Sequence, residues 1–124
     1  MILLDTDVLI EIIQKRSKLG KEIYEKILES GEDVVTSSIN IHEFLYGLKK
    51  IGKEIEVNLP TFNFTKEDAE LSSFLEVELE KKGIKVGRFD CMIAAVAIRR
   101  NCSLATLNKK EFYKFREFGL KIFE

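Results

Sequence analysis

Short apolar runs alternate along the chain with longer segments in which apolar residues recur every three or four positions. Residues 2–4 are apolar at every position, which is typical of a strand buried on both faces of a parallel sheet. The periodic segments have the spacing of amphipathic helices, with charged residues on the opposite side. The pattern predicts strands at 2–4, 33–36, within 54–64, at 102–106 and at 120–123, and helices at 8–14, 21–29, about 39–50, 65–82, 88–100 and 109–118.

The order of these elements predicts the fold class. Strands and helices alternate without the turn signals of β-hairpins, which favours a three-layer α/β/α sandwich around a central, mostly parallel sheet. The segment 88–100 is the most apolar helix, so we expect it to be buried against the sheet. Pro60 favours an edge position for the strand within 54–64. A length of 124 residues, of which 45% are hydrophobic, suits a single domain that spans residues 1–124.

Charge and cysteine content narrow the function classes. The chain has 20 basic and 21 acidic residues, so its net charge of -1 excludes the strongly basic composition that by itself indicates nucleic-acid binding. No apolar run approaches the roughly 18 residues of a membrane span, and no targeting segment is recognisable, so we expect a cytoplasmic protein without membrane contact. Cys91 and Cys102 have no partners at zinc-binding spacing, and we expect two buried free thiols.

Three carboxylates interrupt apolar surroundings. Asp5 follows the first predicted strand, Glu43 lies in the helix after the second strand, and Asp90 lies in the most apolar helix. Burying an isolated carboxylate is costly, so such groups are usually neutralised, paired or bound to a metal ion. Ligands of parallel sheets bind at the carboxyl ends of the strands, where Asp5 stands. We therefore expect Glu43 and Asp90 to converge on Asp5.

Each carboxylate also has a purely structural interpretation. Asp5 could be a turn residue that bonds to the backbone, while Asp7 caps the helix that follows. Asn40 and Glu43 have the spacing of a capping box, in which the glutamate bonds back to the first residue. Asp90 could cap its own helix and still point toward the strand ends. The residues alone leave these alternatives open.

The available ligands favour a hard cation. His42 is the only histidine, so a zinc site of the His-Glu-x-x-His type is excluded, and we interpret His42 as a surface or packing residue. Oxygen ligands without histidine favour Mg²⁺ or Mn²⁺ over zinc. Cations held by a few carboxylates usually serve phosphate chemistry, in which they polarise a phosphoryl oxygen and activate the attacking water.

Four segments carry a family likeness. They are Leu-Leu-Asp-Thr-Asp-Val-Leu-Ile at 3–10, Ser-Ser-Ile at 37–39 with Glu-Phe-Leu-Tyr-Gly-Leu at 43–48, Asp-Cys-Met-Ile-Ala-Ala-Val-Ala at 90–97, and Leu-Ala-Thr-Leu-Asn-Lys-Lys-Glu-Phe at 104–112. In this order the chain resembles PIN-domain ribonucleases of the VapC toxin type. The resemblance implies a PIN-like fold and an endoribonuclease dependent on Mg²⁺, or on Mn²⁺, in which an activated water attacks the phosphodiester in line.

The resemblance also implies roles for particular residues. The catalytic residues would be Asp5, Glu43, Asp90 and Glu111, of which the first three would bind the metal; supporting residues would be Thr6, Asp7, Thr106 and Asn108. The family has a further acid after its fourth strand, and either Asn108 or Glu111 could fill that role here. The implied partners are an RNA substrate, a cognate VapB-like antitoxin and a second copy of the chain in a homodimer. The region 47–64 is shorter than is usual in the family, which bears on dimerisation and antitoxin docking.

Two other functions fit parts of the sequence. A PIN-like domain with weak catalysis could act as a module that binds RNA or a protein partner. Phosphatases similar to the haloacid dehalogenases also carry Asp-x-Asp after their first strand, with the first aspartate as nucleophile. However, the residues after Asp7 lack the Gly/Thr turn expected of that class, and the chain is short for it.

Overall fold

A five-stranded parallel sheet lies at the centre of the protein. The computed structural model describes residues 1–124, and the strands run in the order β3-β2-β1-β4-β5, every neighbouring pair being parallel. The strands are β1 (Ile2–Leu4), β2 (Val34–Ser37), β3 (Thr61–Phe62), β4 (Ser103–Ala105) and β5 (Lys121–Ile122). The prediction of a mostly parallel sheet is confirmed, and the short strand after Pro60 lies at an edge, as expected.

Six helices cover the two faces of this sheet. They are α1 (Thr6–Leu9), which continues as a π-helix (Ile10–Gln14), α2 (Lys18–Ser30), α3 (Ser38–Lys50), α4 (Lys66–Lys81), α5 (Arg88–Arg99), and α6 (Lys109–Phe112), which continues as a 3-10 helix (Tyr113–Phe118). Leu3 packs with residues of α4, α5 and α6, whereas Ile2 and Leu4 pack with residues of α1, α2 and α3. Successive side chains of a strand point to opposite faces, so β1 joins both cores and the three-layer prediction is confirmed.

Several helix ends follow local sequence signals. Thr65 and Asp68 form a capping box at the start of α4, in which each side chain bonds the backbone of the other residue. Gly31 ends α2 in the left-handed conformation, with φ 70°, as predicted from its position. Ser17 caps α2 and starts it at Lys18, three residues earlier than the spacing of apolar residues predicted. On this helix Tyr24 and Leu28 are exposed although both are apolar or aromatic.

The structure excludes three of the capping interpretations that the sequence left open. Helix α1 begins at Thr6, and its N-cap is Asp5 rather than Asp7. Ser37 caps α3 by accepting a hydrogen bond from the backbone of Asn40, so no capping box joins Asn40 to Glu43. Gly87 is the N-cap of α5, and Asp90 lies in its first turn. In each case the helix starts before the position that the capping interpretation requires, so Asp7, Glu43 and Asp90 are left free for other contacts.

The thiols and the membrane prediction can be compared directly with the structure. Cys91 and Cys102 are buried and free, as predicted, and burial raises the pKa of the Cys91 thiol to about 11. No helix is both long enough and apolar enough to cross a membrane.

Candidate metal centre

Asp5 lies at the carboxyl end of β1, between the ends of its two neighbouring strands. Its backbone N–H donates to the carbonyl of Ala105, the last residue of β4. On the other side β2 ends at Ser37 and leads directly into α3. The parallel register therefore places the first turn of α3 and the residues after β4 next to Asp5, at the strand ends where a site is expected.

The Asp5 carboxylate is buried, with 7% of the residue exposed, and is held by three donors. Its Oδ1 accepts from the Thr6 backbone N–H at 2.9 Å and from Asn40 Nδ2 at 3.0 Å. Its Oδ2 accepts from Thr106 Oγ1 at 2.7 Å. Since a carboxylate oxygen has two acceptor sites, Oδ1 is saturated, whereas Oδ2 keeps one site for a further ligand.

No cation offsets the charge of Asp5. Burial, followed by the negative charge of Asp7, raises the pKa of Asp5 from its ordinary 3.8 to about 7. The hydrogen bonds from Thr106 and Thr6 lower it, and Glu43 adds a smaller repulsion. The ionised form of Asp5 is therefore destabilised by burial and by neighbouring negative charge, and a bound positive ion would stabilise it.

Glu43 reaches the same network through Thr6. The Thr6 hydroxyl donates to Glu43 Oε1 at 2.7 Å and accepts from Asn40 Nδ2 at 3.1 Å. Ser37 Oγ lies 2.6 Å from Asn40 Oδ1 and donates to it. Thr6 and Glu43 are thus linked to Asp5 by short bonds, although they are 37 residues apart in the chain.

Asp90 approaches from the opposite side, in the first turn of α5. It is half-buried, and burial followed by the charge of Glu43 raises its pKa. Lys114 lowers that pKa, while Glu111 and Asp7 raise it further. The charge of Glu43 therefore acts on Asp90, although no hydrogen bond joins Asp90 to Asp5 or Glu43.

Asp7 holds the loop after β4. Its two carboxylate oxygens accept from the Leu107 backbone N–H at 3.3 and 3.2 Å, and Oδ2 lies 3.5 Å from Thr106 Oγ1. Burial is the main cause that raises the pKa of Asp7. Asp7 consequently fixes Thr106, which in turn bonds Asp5, in place of the capping role predicted from its position.

The two candidates for the fourth acidic position lie farther out. Glu111 has 50% of its side chain exposed and pairs with Lys114 at 3.2 Å. Asn108 is exposed, and its backbone N–H donates to Thr106 Oγ1 at 3.0 Å. Neither side chain hydrogen-bonds to Asp5, Glu43 or Asp90.

The candidate metal ligands match a hard divalent cation both in the type of their ligating atoms and in their negative charge. The candidate ligands of Asp5, Glu43 and Asp90 are all carboxylate oxygens, which Mg²⁺ and Mn²⁺ prefer, and their mutual repulsion would be relieved by a cation. No three His, Cys, Asp or Glu side chains are gathered closely enough to form a finished ligand cage. Glu43 Oε1 accepts from Thr6, which leaves Oε2 as its oxygen for a further ligand.

Asn40 and Ser37 are site residues that the sequence did not single out. Both side chains are fully buried at the end of β2. From the sequence Asn40 is explained equally well as one half of a capping box, because Asn is common at helix starts. The usable signal was a polar pair, Ser37 and Asn40, directly after a β-branched strand and three residues before Glu43.

Comparisons with known proteins identify the family of the chain. A family model described as PIN domain matches residues 2–117. "Ribonuclease VapC1" from Methanocaldococcus jannaschii is 34% identical over 128 residues, covering 99% of this chain and 87% of the relative. "Ribonuclease VapC2" from Rickettsia felis is 32% identical over 120 residues, covering 89% of this chain and 88% of the relative.

Solved structures give the same result for the fold. The VapBC2 complex from Rickettsia felis, bound to a DNA fragment from its promoter, contains a chain with TM-score 0.78 and 28% identity, covering 100% of this chain and 98% of that one. A chain of the FitAB complex bound to a DNA fragment also has TM-score 0.78, at 22% identity, covering 99% of this chain and 94% of that one. The second similarity concerns the fold alone.

Proposed function

Because the chain belongs to the PIN-domain family, and within it to the VapC ribonucleases, we propose that it is an endoribonuclease dependent on Mg²⁺ or Mn²⁺. Its substrate is RNA, and the reaction is hydrolysis of a phosphodiester. The observation that carries the proposal is the buried Asp5 carboxylate at the end of β1, which is linked to Glu43 through Thr6, keeps an acceptor site on Oδ2 and has only neutral hydrogen-bond donors.

The proposed ligands are Asp5, Glu43 and Asp90. Asp5 offers the acceptor site that remains on Oδ2, since its Oδ1 is saturated by Thr6 and Asn40. Glu43, with Oε1 held by Thr6, would offer Oε2, and Asp90 would complete the set from the first turn of α5. A bound divalent cation supplies charge stabilisation to the phosphodiester and activates the attacking water.

Neighbouring side chains orient these ligands. Thr106 and Asp7 hold the Asp5 side of the site through the bonds already described. Thr6 presents its hydroxyl to Glu43. We propose that Glu111, which is paired with Lys114, is an auxiliary acid of the site, and that Asn108 supports the site through the backbone N–H that donates to Thr106.

The proposed biological role is that of the toxin in a toxin–antitoxin pair. The solved relatives include a VapBC complex bound to promoter DNA, and the VapC relatives align over nearly the full chain. We propose a VapB-like antitoxin as the partner, a homodimer as the active assembly, and the cytoplasm as its location.

A cleavage assay with matched variants tests the enzymatic proposal. The purified chain is incubated with end-labelled RNAs in Mg²⁺, in Mn²⁺ and in EDTA, and the products are tested for 5′-phosphate ends. We expect cleavage in either metal and none in EDTA, and its loss in Asp5→Asn and Asp90→Asn. Asp33→Asn, an exposed aspartate at the opposite end of β2, is the control that should retain cleavage.

Calorimetric titration with Mn²⁺ distinguishes the enzyme from a binding module. An enzyme should bind Mn²⁺, and Asp5→Asn and Asp90→Asn should each weaken that binding. RNA binding without Mn²⁺ binding or cleavage would instead identify a PIN domain that acts only as a binding module. Cleavage that persists in both aspartate variants would refute the proposed site.

A further inference from the structure

Asn40 connects two of the proposed metal ligands through one buried amide. Its side chain is 0% exposed, and its Nδ2 lies 3.0 Å from Asp5 Oδ1 and 3.1 Å from Thr6 Oγ1. Thr6 in turn contacts Glu43. Asn40 touches neither the proposed Asp90 ligand nor solvent, so any influence on the site must pass through Asp5 and Thr6.

The direction of each hydrogen bond in the series that joins Ser37, Asn40, Thr6 and Glu43 is determined by its acceptors. Asp5 Oδ1 can only accept when it is ionised, so the Asn40 atom facing it must be the NH₂ group rather than the carbonyl oxygen. The carbonyl oxygen of Asn40 then faces Ser37 Oγ, which donates its proton at 2.6 Å. The Thr6 hydroxyl accepts from Asn40 and therefore directs its own proton to Glu43 Oε1.

This series of hydrogen bonds, with its fixed directions, has two consequences for the metal ligands. Together with the backbone of Thr6, Asn40 uses both acceptor sites of Asp5 Oδ1, so only Oδ2 is left to face a metal. Through Thr6 it also sets which oxygen of Glu43 is engaged. A neutral amide can do this without placing a competing positive charge beside the ligands.

We propose that Asn40 is the positioning residue of the metal site, orienting Asp5 directly and Glu43 through the Thr6 hydroxyl, a role that rests on the proposed metal-dependent function. Partners that orient metal ligands typically contribute about 10- to 100-fold to metal affinity. Replacing Asn40 by the similarly sized but apolar Leu removes both donors, so we expect Asn40→Leu to weaken Mn²⁺ binding by about this factor.

The experiment compares metal affinity with stability. Mn²⁺ binding is measured by calorimetry, and melting temperature in EDTA, for the wild-type chain, Asn40→Leu and Asn58→Leu, in which the same change is made at an exposed asparagine. A positioning role predicts weaker Mn²⁺ binding by folded Asn40→Leu and unchanged binding by Asn58→Leu. A merely structural role predicts a lower melting temperature with the wild-type Mn²⁺ affinity, and that result would overturn the proposal.

Thr6→Val keeps the test decisive if Asn40→Leu does not fold. Valine has nearly the shape of threonine but lacks the hydroxyl, so this variant breaks the connection to Glu43 and keeps the bond from Asn40 to Asp5. We expect Thr6→Val to bind Mn²⁺ more weakly than the wild type, and unchanged affinity would overturn the connection through Thr6.

A measurement without metal separates this inference from the proposed function. In the NMR spectrum of the metal-free protein, the Asn40 side-chain amide protons should exchange slowly and shift in Thr6→Val; rapid exchange would overturn the geometry itself. Absence of Mn²⁺ binding by the wild-type chain would overturn the metal site and the role of Asn40 with it. Wild-type affinity in folded Asn40→Leu would overturn only the role of Asn40.

Discussion

Replacing Asp5 by Asn should stabilise the metal-free protein while it abolishes metal binding. Asp5 is buried among other acids, which raises its pKa from 3.8 to about 7. Asn keeps the role of N-cap equally well, and its carbonyl oxygen can accept the bonds from Thr6 and Asn40 that Oδ1 now accepts. The new NH₂ group would face Thr106 Oγ1, which can accept instead of donating.

The magnitude follows from the difference between the two pKa values. A group that binds its proton more tightly in the folded state lowers the stability as pH rises between the unfolded and folded pKa values. For Asp5 the penalty is absent below about pH 4, grows up to about pH 7, and is constant above it. The full difference corresponds to at most about 4 kcal/mol, so Asp5→Asn should be more stable than the wild type above pH 7 by up to that amount.

Urea unfolding in EDTA, at about pH 8 and about pH 4.5, measures this difference. We expect the stability advantage of Asp5→Asn to be largest at the higher pH and small at the lower one. The control, Asp33→Asn, removes an exposed carboxylate and should show a much smaller effect. Added Mn²⁺ should stabilise the wild type by mass action and leave Asp5→Asn unchanged.

Two results would refute the reasoning on Asp5. One is an Asp5→Asn variant less stable than the wild type at pH 8 in EDTA, which would mean that the carboxylate stabilises the fold. The other is a stability difference that does not change with pH, which would mean that desolvation of the charge is not its cause.

Three further predictions concern single side chains. Asp68→Asn should lower the free energy of unfolding by about 2–3 kcal/mol at pH 7, because the buried carboxylate pairs with two arginines at 2.8 Å; urea unfolding measures this, and an unchanged midpoint would contradict it. Glu111→Gln should weaken Mn²⁺ binding in calorimetry far less than Glu43→Gln, because Glu111 is half exposed and paired with Lys114; equal losses would make Glu111 a metal ligand. Gly20→Ala should lower the melting temperature, since a Cβ there would overlap the Glu11 carbonyl oxygen, whereas Gly47→Ala, which meets nothing within 4 Å, should raise it by removing a glycine from a helix interior.

The layers of the fold were predictable because the hydrophobic pattern encodes them. Every position of β1 is apolar because it is buried on both faces, and α5 is the most apolar helix because it packs on the sheet. Exact helix starts were less predictable. Asp5, Ser37 and Gly87 all act as N-caps, and each is followed within three residues by another residue type that is also common at helix starts, so local preferences could not decide between them.

The acidic residues of the site could be predicted from the sequence, whereas the side chains that donate hydrogen bonds to them could not. Asp5, Glu43 and Asp90 stood out because carboxylates are rare in apolar surroundings. Asn40 is neutral and equally common in turns and caps, so its bond to Asp5 depends on the pairing of β1 with β2, which spacing along the chain does not specify. The same holds for Asp7, whose contact with Leu107 spans 100 residues.

Two buried aspartates, Asp68 and Asp5, differ in whether arginine side chains pair with them: Asp68 stabilises the fold, whereas we propose that Asp5 binds the metal. At Asp68 burial raises the pKa, but hydrogen bonds from Arg100, Thr65 and Arg99 outweigh it and hold the pKa well below its usual range; this charge stabilises the fold above about pH 4 and ceases to do so as pH falls. Asp5 has only neutral donors, so its pKa rises instead. An arginine beside Asp5 would stabilise the fold in the same way, but it would also occupy the acceptor site and supply the charge that we assign to the metal. The absence of such a cation is therefore what we expect of a carboxylate that binds a metal. Metal should then stabilise the protein through Asp5 and leave the Asp68 ion pair unaffected. The increase in the free energy of unfolding on addition of Mn²⁺ should be the same in Asp68→Asn as in the wild type.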